Sequence, residues 1–242
     1  MISIVIPTYN HCGDLLKPCI QSILNTTMMG DVEIIVVANG CTDDTREYLD
    51  GLSGFRLKVL WFDNPIGFPK AINEGFKALH DETDYVVVMN NDCVLTPQPT
   101  NSWIQILLGL FRDPKVGIAG PLRLYDNVTK QYYIHFFIAA IKREVINSIG
   151  MLDETFAMGN CEDTDYCIRA KLKGYKIADV GVEFDLSTTM KRGNFPIVHA
   201  AHKTVDEIPG WNENVNKNLC ILGNKYKELP PEKFEDEVFI HS

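Results

Sequence analysis

No disulfide framework can be drawn on this sequence. Its seven cysteines are odd in number and scattered from Cys12 to Cys220, and none stands in a C-x-x-C pair. That excludes a cystine-stapled secreted module and a zinc ribbon, and points to reduced thiols. No apolar run approaches the 18 residues needed to cross a membrane as a helix. The opening MISIVIPTYN is apolar but lacks a basic flank and a cleavage site, so it does not read as a signal peptide. The expectation is a cytoplasmic protein, free or peripheral at a membrane, with no transmembrane segment. No basic run stands out either: 23 Lys and Arg face 32 Asp and Glu, a net charge of −9. A nucleic-acid surface is therefore not expected. Internal repeats and low-complexity tracts are absent.

What is present is enough chain for a buried core: 242 residues, 45% of them hydrophobic. Strand-like and helix-like stretches alternate. Residues 2–6, 33–38, 56–61 and 85–89 read as strands. Helical spacing follows each of the first three: from Asp14, a candidate cap with Pro18 in the first turn; over 45–52; and from Pro69 to about residue 80. Such βα repetition with short connections predicts a parallel sheet between helices, an α/β three-layer sandwich. Further on, helices are expected near 102–111, over 142–149 before Gly150, from Glu162 to 173, and over 212–226. Strands are expected at 116–121 and 176–182, a short apolar segment at 195–199, and a hairpin or loop over 122–134. The chain is expected to form one domain over 1–228, its nucleotide-type half ending at 99. An acidic tail over 229–242 is expected to be loose.

The pivotal stretch is DYVVVMNNDCVLT, residues 84–96. An apolar, β-branched strand stops abruptly at Asn90, Asn91 and Asp92. In open α/β sheets, ligands sit outside the carboxyl ends of the strands. A carboxylate flanked by carboxamides there suits a hard divalent cation together with ribose or diphosphate oxygens. The plain alternative is a turn cap.

SIVIPTYN, EIIVVANGCTDDT, NPIGFPKAINEGF, VVVMNNDCVLTP, GMLDETF and CEDTDYCIRAKLKGYKI follow one another in this chain. Their order and spacing resemble the family 2 glycosyltransferases, over roughly residues 2–205. The resemblance implies a GT-A fold with a Rossmann-like nucleotide-binding half. It also implies inverting transfer from a nucleotide sugar to a glycan or lipid-linked acceptor, and Mn²⁺ or Mg²⁺ as cofactor. Asp92 matches the last carboxylate of the family's Asp-x-Asp motif. Asn90 and Asn91 would then meet ribose or diphosphate oxygens. By the same match Asp163 is the catalytic base and Glu162 its acceptor-side neighbour. Asp163 sits in the first turn of a helix, whose dipole favours the anion at neutral pH. Asp153 and Glu154 match a loop beside the base, shaping it and meeting the acceptor. His199 matches a histidine that closes the metal site, with His202 its rival.

Pro7, Thr8 and Tyr9 would underlie the nucleobase. Relatives carry an acid where this chain has Ala38, so Asn39 is left to accept from the N3–H of uracil or thymine, favouring a UDP- or dTDP-sugar. Lys70 would approach the base or the diphosphate, or else sit as a solvated lysine. Tyr132, Tyr133, His135 and Phe136 would stack on a sugar or form a core strand. Residues 183–194 would make a lid, with Lys191 and Arg192 on phosphate. A different class remains in view: a non-catalytic relative that only binds a nucleotide sugar or glycan. A nucleotidyltransferase is disfavoured, because PTYNHCGD has neither the Gly-rich loop nor the basic residue such enzymes show.

Overall fold

The structure, a computed structural model, describes residues 1–52, 56–181, 191–192 (main chain only), 195–200 and 208–232. Its centre is a seven-stranded sheet in the order β10-β6-β9-β4-β1-β2-β3. The strands are β1 (Ile2–Thr8), β2 (Val32–Asn39), β3 (Leu57–Phe62), β4 (Tyr85–Met89), β6 (Val116–Gly120), β9 (Ile138–Lys142) and β10 (Lys176–Asp179). All run the same way except β9, which is antiparallel to both its neighbours.

Side chains alternate across the sheet, so each face collects its own helices. Ile4 and Ile6 join a core with α1 (Lys17–Thr26), α2 (Thr45–Asp50) and α4 (Ser102–Gly109). Val5 and Val88 face the other way, toward α3 (Phe68–Lys77), α5 (Arg143–Ile149) and α6 (Glu162–Leu172). This is the expected three-layer α/β sandwich. Among the described residues, no helix is long and apolar enough to cross a membrane.

The direction of β9 decides where the chemistry lies. Met89, the last residue of β4, pairs with Ile138, the first of β9. The segment entering β9, residues 135–137, is thereby delivered to the carboxyl edge of the parallel strands. It arrives there from a hairpin of β7 (Arg123–Asp126) and β8 (Gln131–Ile134). A second small sheet extends the same edge: β5 (Cys93–Leu95) lies antiparallel to β12 (Ile197–His199), with β11 (Lys191–Arg192) outside it. In that register His199 is opposite Cys93, beside Asp92. A one-residue slip would turn His199 to the other face.

Two local expectations need correction. Asp14 is not the cap of the first helix. The helix is entered through a π-turn, Cys12–Leu16, headed by His11 at φ 57, and Asp43 accepts the Cys12 N–H at 2.9 Å. The near end of the expected loose tail is also held. Pro230 O accepts from Gln131 Nε2, Glu232 accepts from the Tyr132 N–H, and the Glu232 carboxylate pairs with Lys171. Residues 233–242 lie outside the described residues. The last helix, α7 (Trp211–Tyr226), packs on α6 through Leu222 and Tyr226.

Candidate active site

Strand ends build one wall of a cavity of about 660 Å³. Pro7 and Thr8 close β1, Tyr9 follows, Asn39 closes β2, and Asn90, Asn91 and Asp92 follow β4; all line it. Asn91 Nδ2 donates to Thr8 Oγ1 at 2.9 Å, which locks two strand ends together. Asn39 Oδ1 accepts the Ile66 N–H at 2.7 Å. Only the oxygen can take that bond, so the amide's orientation is fixed. The carbonyl expected to receive a nucleobase N3–H thus also serves the 65–67 turn, and an amide oxygen with two lone pairs can accept a second bond.

Asp92, His199 and Cys93 converge at one corner of this wall, with one ligand atom from each within 4.8 Å of the others. His199 Nε2 lies 3.1 Å from Asp92 Oδ1, yet Asp92 Oδ1 and His199 Nδ1 have no hydrogen-bond partner among the described residues. Both side chains are buried. A buried carboxylate oxygen held toward an imidazole without a hydrogen bond is a donor set that a divalent cation satisfies. Cys93 fits it less well. Its Sγ donates to the Phe137 carbonyl at 3.3 Å, and burial pushes the thiol well above its ordinary pKa. The Phe137 ring stacks on His199, centroids 4.6 Å apart and planes 12° from parallel. Asn90 Oδ1 is likewise buried without a partner.

The opposite wall carries the acids of α6. Asp163 is 8% exposed and Glu162 6%, and both line the cavity. Asp163 Oδ1 accepts from the Thr164 N–H at 2.7 Å, and Oδ2 from the Phe136 N–H at 3.4 Å. Burial pushes the Asp163 carboxyl up to about 6, against the hydrogen bonds from Thr164 and Phe136 that pull it down. The helix start is expected to favour the anion at neutral pH, and a carboxyl near 6 is still mostly ionised at pH 7. Desolvation outweighs the dipole here, because the charge has left water. Glu162 Oε2 has no hydrogen-bond partner among the described residues, and burial, then the Asp163 charge, holds its carboxyl well above the usual range. Asp165, fully buried one residue beyond Thr164, makes a contrast. It is paired with Arg169 at 2.8 Å, Lys225 at 2.6 Å and the Tyr226 hydroxyl at 2.6 Å.

The loop leading into α6 is strained. Ala157, Asn160 and Cys161 all have positive φ, and Gly159 sits at φ 120 between them. Each such non-glycine residue costs on the order of 1–3 kcal/mol and persists only where its surroundings dictate it. Two neighbours do so. From α3, the Phe68 N–H reaches Met158 O, and Asn73 exchanges hydrogen bonds with the Leu152 backbone. From α7, Asn214 and Asn218 reach the carbonyls of residues 156–160.

Three expected site residues do not belong to the cavity wall. Lys70 is exposed on α3, because Ala71, Ile72 and Gly75 take that helix's buried face. Asp153 accepts from Thr155 and pairs with Lys225 at 2.7 Å. Burial alone would raise its carboxyl, but the bonds from Lys225 and Thr155 bring it down to about 2. Glu154 accepts from Asn73 at 2.9 Å. These two acids shape the loop, as expected, and neither lines the cavity. Of the expected aromatics, Tyr133, His135 and Phe136 line the cavity, while the Tyr132 ring packs tilted, at 57°, against Tyr125 with centroids 4.8 Å apart. His202 and residues 183–190, 193 and 194 lie outside the described residues, as do the side chains of Lys191 and Arg192. Sequence reasoning missed Phe137, and it missed Trp211, Asn214 and Asn218 on α7. The four-residue spacing of the two asparagines was the available signal for one face of that helix.

A profile described as glycosyl transferase family 2 matches residues 3–167. An uncharacterized protein of Sinorhizobium fredii, y4gI, is 26% identical over 214 residues, 72% of this chain and 23% of that protein. The O-antigen biosynthesis protein RfbC of Myxococcus xanthus is 30% identical over 133 residues, 54% of this chain and 10% of that one. The chain thus spans a minor part of the length of these relatives. Among solved structures, the mannosyltransferase PcManGT of Pyrobaculum calidifontis, in complex with GDP-Man and Mn²⁺, superposes with a TM-score of 0.61. It is 18% identical, over 74% of this chain and 54% of that one. At that identity the superposition speaks for the fold, which is GT-A. Matched over more than half its residues, this chain belongs to glycosyltransferase family 2.

Proposed function

We propose that the protein is a metal-dependent inverting glycosyltransferase. It takes a sugar from a nucleoside diphosphate donor, with UDP- or dTDP-sugars favoured, to a hydroxyl of a glycan or lipid-linked acceptor. One observation carries this reading: Asp92 and Asp163 face one cavity, and a single two-residue segment joins their surroundings. The Phe136 N–H donates to Asp163, and the Phe137 ring stacks on His199 beside Asp92.

Each residue then has a task. Asp163 accepts the proton of the acceptor hydroxyl as that oxygen attacks the anomeric carbon. The bond from that carbon to the diphosphate oxygen breaks on the opposite face, and the diphosphate leaves with the electron pair. Asp92 and His199 would hold Mn²⁺ or Mg²⁺, which when bound supplies Lewis-acid stabilisation of charge on the departing diphosphate. Asn90 offers its unpartnered carboxamide oxygen to ribose or diphosphate. Pro7, Thr8, Tyr9 and Asn39 form the nucleoside floor. Glu162 presents its carboxyl, with Oε2 unpartnered among the described residues, to the acceptor. With a pKa near 6, Asp163 is mostly ionised at pH 7 and still basic enough to take a proton.

The test is thermal shift with a panel of UDP-, dTDP- and GDP-sugars, with and without Mn²⁺. A ligand that binds only the folded state raises the melting temperature by mass action. One donor class is expected to raise it, with Mn²⁺ required, and Asp92→Ala is expected to abolish the rise. A flat response to every donor would refute the reading.

A further inference from the structure

The family match ends at residue 167, yet the acids of α6 are held from beyond it. Asn218, on α7, is 0% exposed. Its single Nδ2 group lies 3.1 Å from Phe156 O, 2.8 Å from Gly159 O and 3.1 Å from Asn160 O. Asn214, one turn earlier, donates to Gly159 O at 3.0 Å. These carbonyls belong to the run with positive φ at Ala157, Gly159, Asn160 and Cys161. Cys161 is the N-cap of α6 and has no side-chain cap bond. Asp163 follows two residues later. A strained turn relaxes unless its neighbours over-determine it. Asn218 supplies that determination from the α7 side.

We propose that Asn218 is a positioning residue for Asp163, with Asn214 in support: its carboxamide pins the strained 156–160 turn and thereby fixes the direction in which α6 presents its acids to the cavity. This rests on the reading of Asp163 as the base. The helix that does the pinning also walls the cavity with Trp211 and Leu219, so the same element aims the base and borders the space the acceptor enters.

Amide hydrogen exchange and steady-state kinetics on the full chain test this, with Asn218→Ala and the milder Asn214→Ala. Two N–H groups report Asp163 directly, because those of Thr164 and Phe136 donate to it. Both amides are expected to exchange at least tenfold faster in Asn218→Ala, while those of Val87 and Val88 in β4 stay within twofold. The kcat is expected to fall at least tenfold, with the donor KM within twofold. Asn214→Ala should show the same pattern at smaller size, and it decides the matter should Asn218→Ala fail to fold. Unchanged Thr164 and Phe136 amides overturn the proposal. So does acceleration spread equally into β4, or a parallel loss of kcat and donor affinity, since a mere scaffold would behave that way. A wild-type protein with no turnover on any donor would sink the proposed function instead, and exchange would still decide the clamp.

Discussion

The imidazole of His199 lies flat on the ring of Phe137, 4.6 Å between centroids. Phe137 is also joined to the other partner of that imidazole by its main chain. Its carbonyl accepts from Asn90 N at 2.8 Å and from Cys93 Sγ at 3.3 Å, on either side of Asp92. The main chain therefore sets the strand end, and the ring sets the histidine. Phe137→Leu separates the two: it keeps the carbonyl bonds and most of the volume but removes the stacked face. Groups that orient a metal ligand from behind are commonly worth 10–100-fold in metal affinity. The expectation is a roughly tenfold weaker Mn²⁺ dependence of nucleotide binding, read by calorimetry, beside a loss of about 1–2 kcal/mol in unfolding free energy because Phe137 is buried in the core. Unaltered metal affinity would show that His199 needs no such support.

Asp92 and His199 are buried with Oδ1 and Nδ1 unpartnered. A buried carboxylate oxygen with no hydrogen bond among the described residues, set 3.1 Å from an imidazole nitrogen, is unfavourable, so a cation there should stabilise the folded chain by itself. Mn²⁺ at a hundred times its Kd would add about 2.7 kcal/mol. The melting temperature is expected to rise with Mn²⁺ and fall back on chelation. In Asp92→Asn the metal-free protein should melt no lower than wild type, and the metal response should vanish. A metal response that survives Asp92→Asn would place the ion elsewhere.

Much of this could be read in advance, for a physical reason. Strand ends are local in sequence, so Thr8, Asn39 and Asn90 to Asp92 announce themselves as a hydrophobic run followed by polar residues. Their meeting at one edge follows from the parallel βα rule. Asp163 and His199 came from resemblance and not from local pattern. The fold explains why: His199 reaches Asp92 only through the β5–β12 register, and Asp163 is framed by a segment delivered by an antiparallel strand. Neither pairing has a local signature. Lys70 stays open in the sequence between nucleotide and solvent, and Asp153 and Glu154 between loop and acceptor, because residue type says what a side chain offers, and only the fold says which way it faces. Asn39 shows the same limit at the scale of one bond, since its carbonyl also serves the Ile66 N–H.

Gly67 joins the donor side to the α6 side. It has φ 86, and a Cβ there would stand 2.2 Å from the Ala157 carbonyl oxygen. The next residue, Phe68, donates its N–H to Met158 O. Gly67→Ala therefore adds left-handed strain and a backbone clash in one step. A loss of roughly 2–4 kcal/mol in unfolding free energy is expected by denaturant titration. Gly13→Ala, where nothing lies within 4 Å of the new atom, is the matched control and should be near neutral. Equal effects at both positions would mean that the contact between α3 and the 157–159 turn carries no strain.

Asp163 ties activity to stability with opposite signs. Its carboxyl is raised from an ordinary 3.8 to about 6 by burial. In the unfolded chain it loses its proton near 4. Between about pH 4 and 6 the folded protein thus binds more protons than the unfolded one, and stability must fall as pH rises through that window. Above it the ionised acid costs about 2–3 kcal/mol. Asp163→Asn removes that cost. It should melt higher than wild type at pH 7.5 and no higher at pH 4, with the amide oxygen keeping the 2.7 Å bond from the Thr164 N–H and the longer Phe136 bond given up. Turnover should move the other way. The wild-type rate should fall below about pH 6 as the base takes up its proton, and Asp163→Asn should lose on the order of 10²–10⁴ in kcat with donor binding preserved. Paired pH series of melting temperature and rate on the two proteins check both halves. A variant that is no more stable at pH 7.5 would show that the buried carboxylate is already compensated, and a rate flat through pH 6 would remove Asp163 from the chemical step.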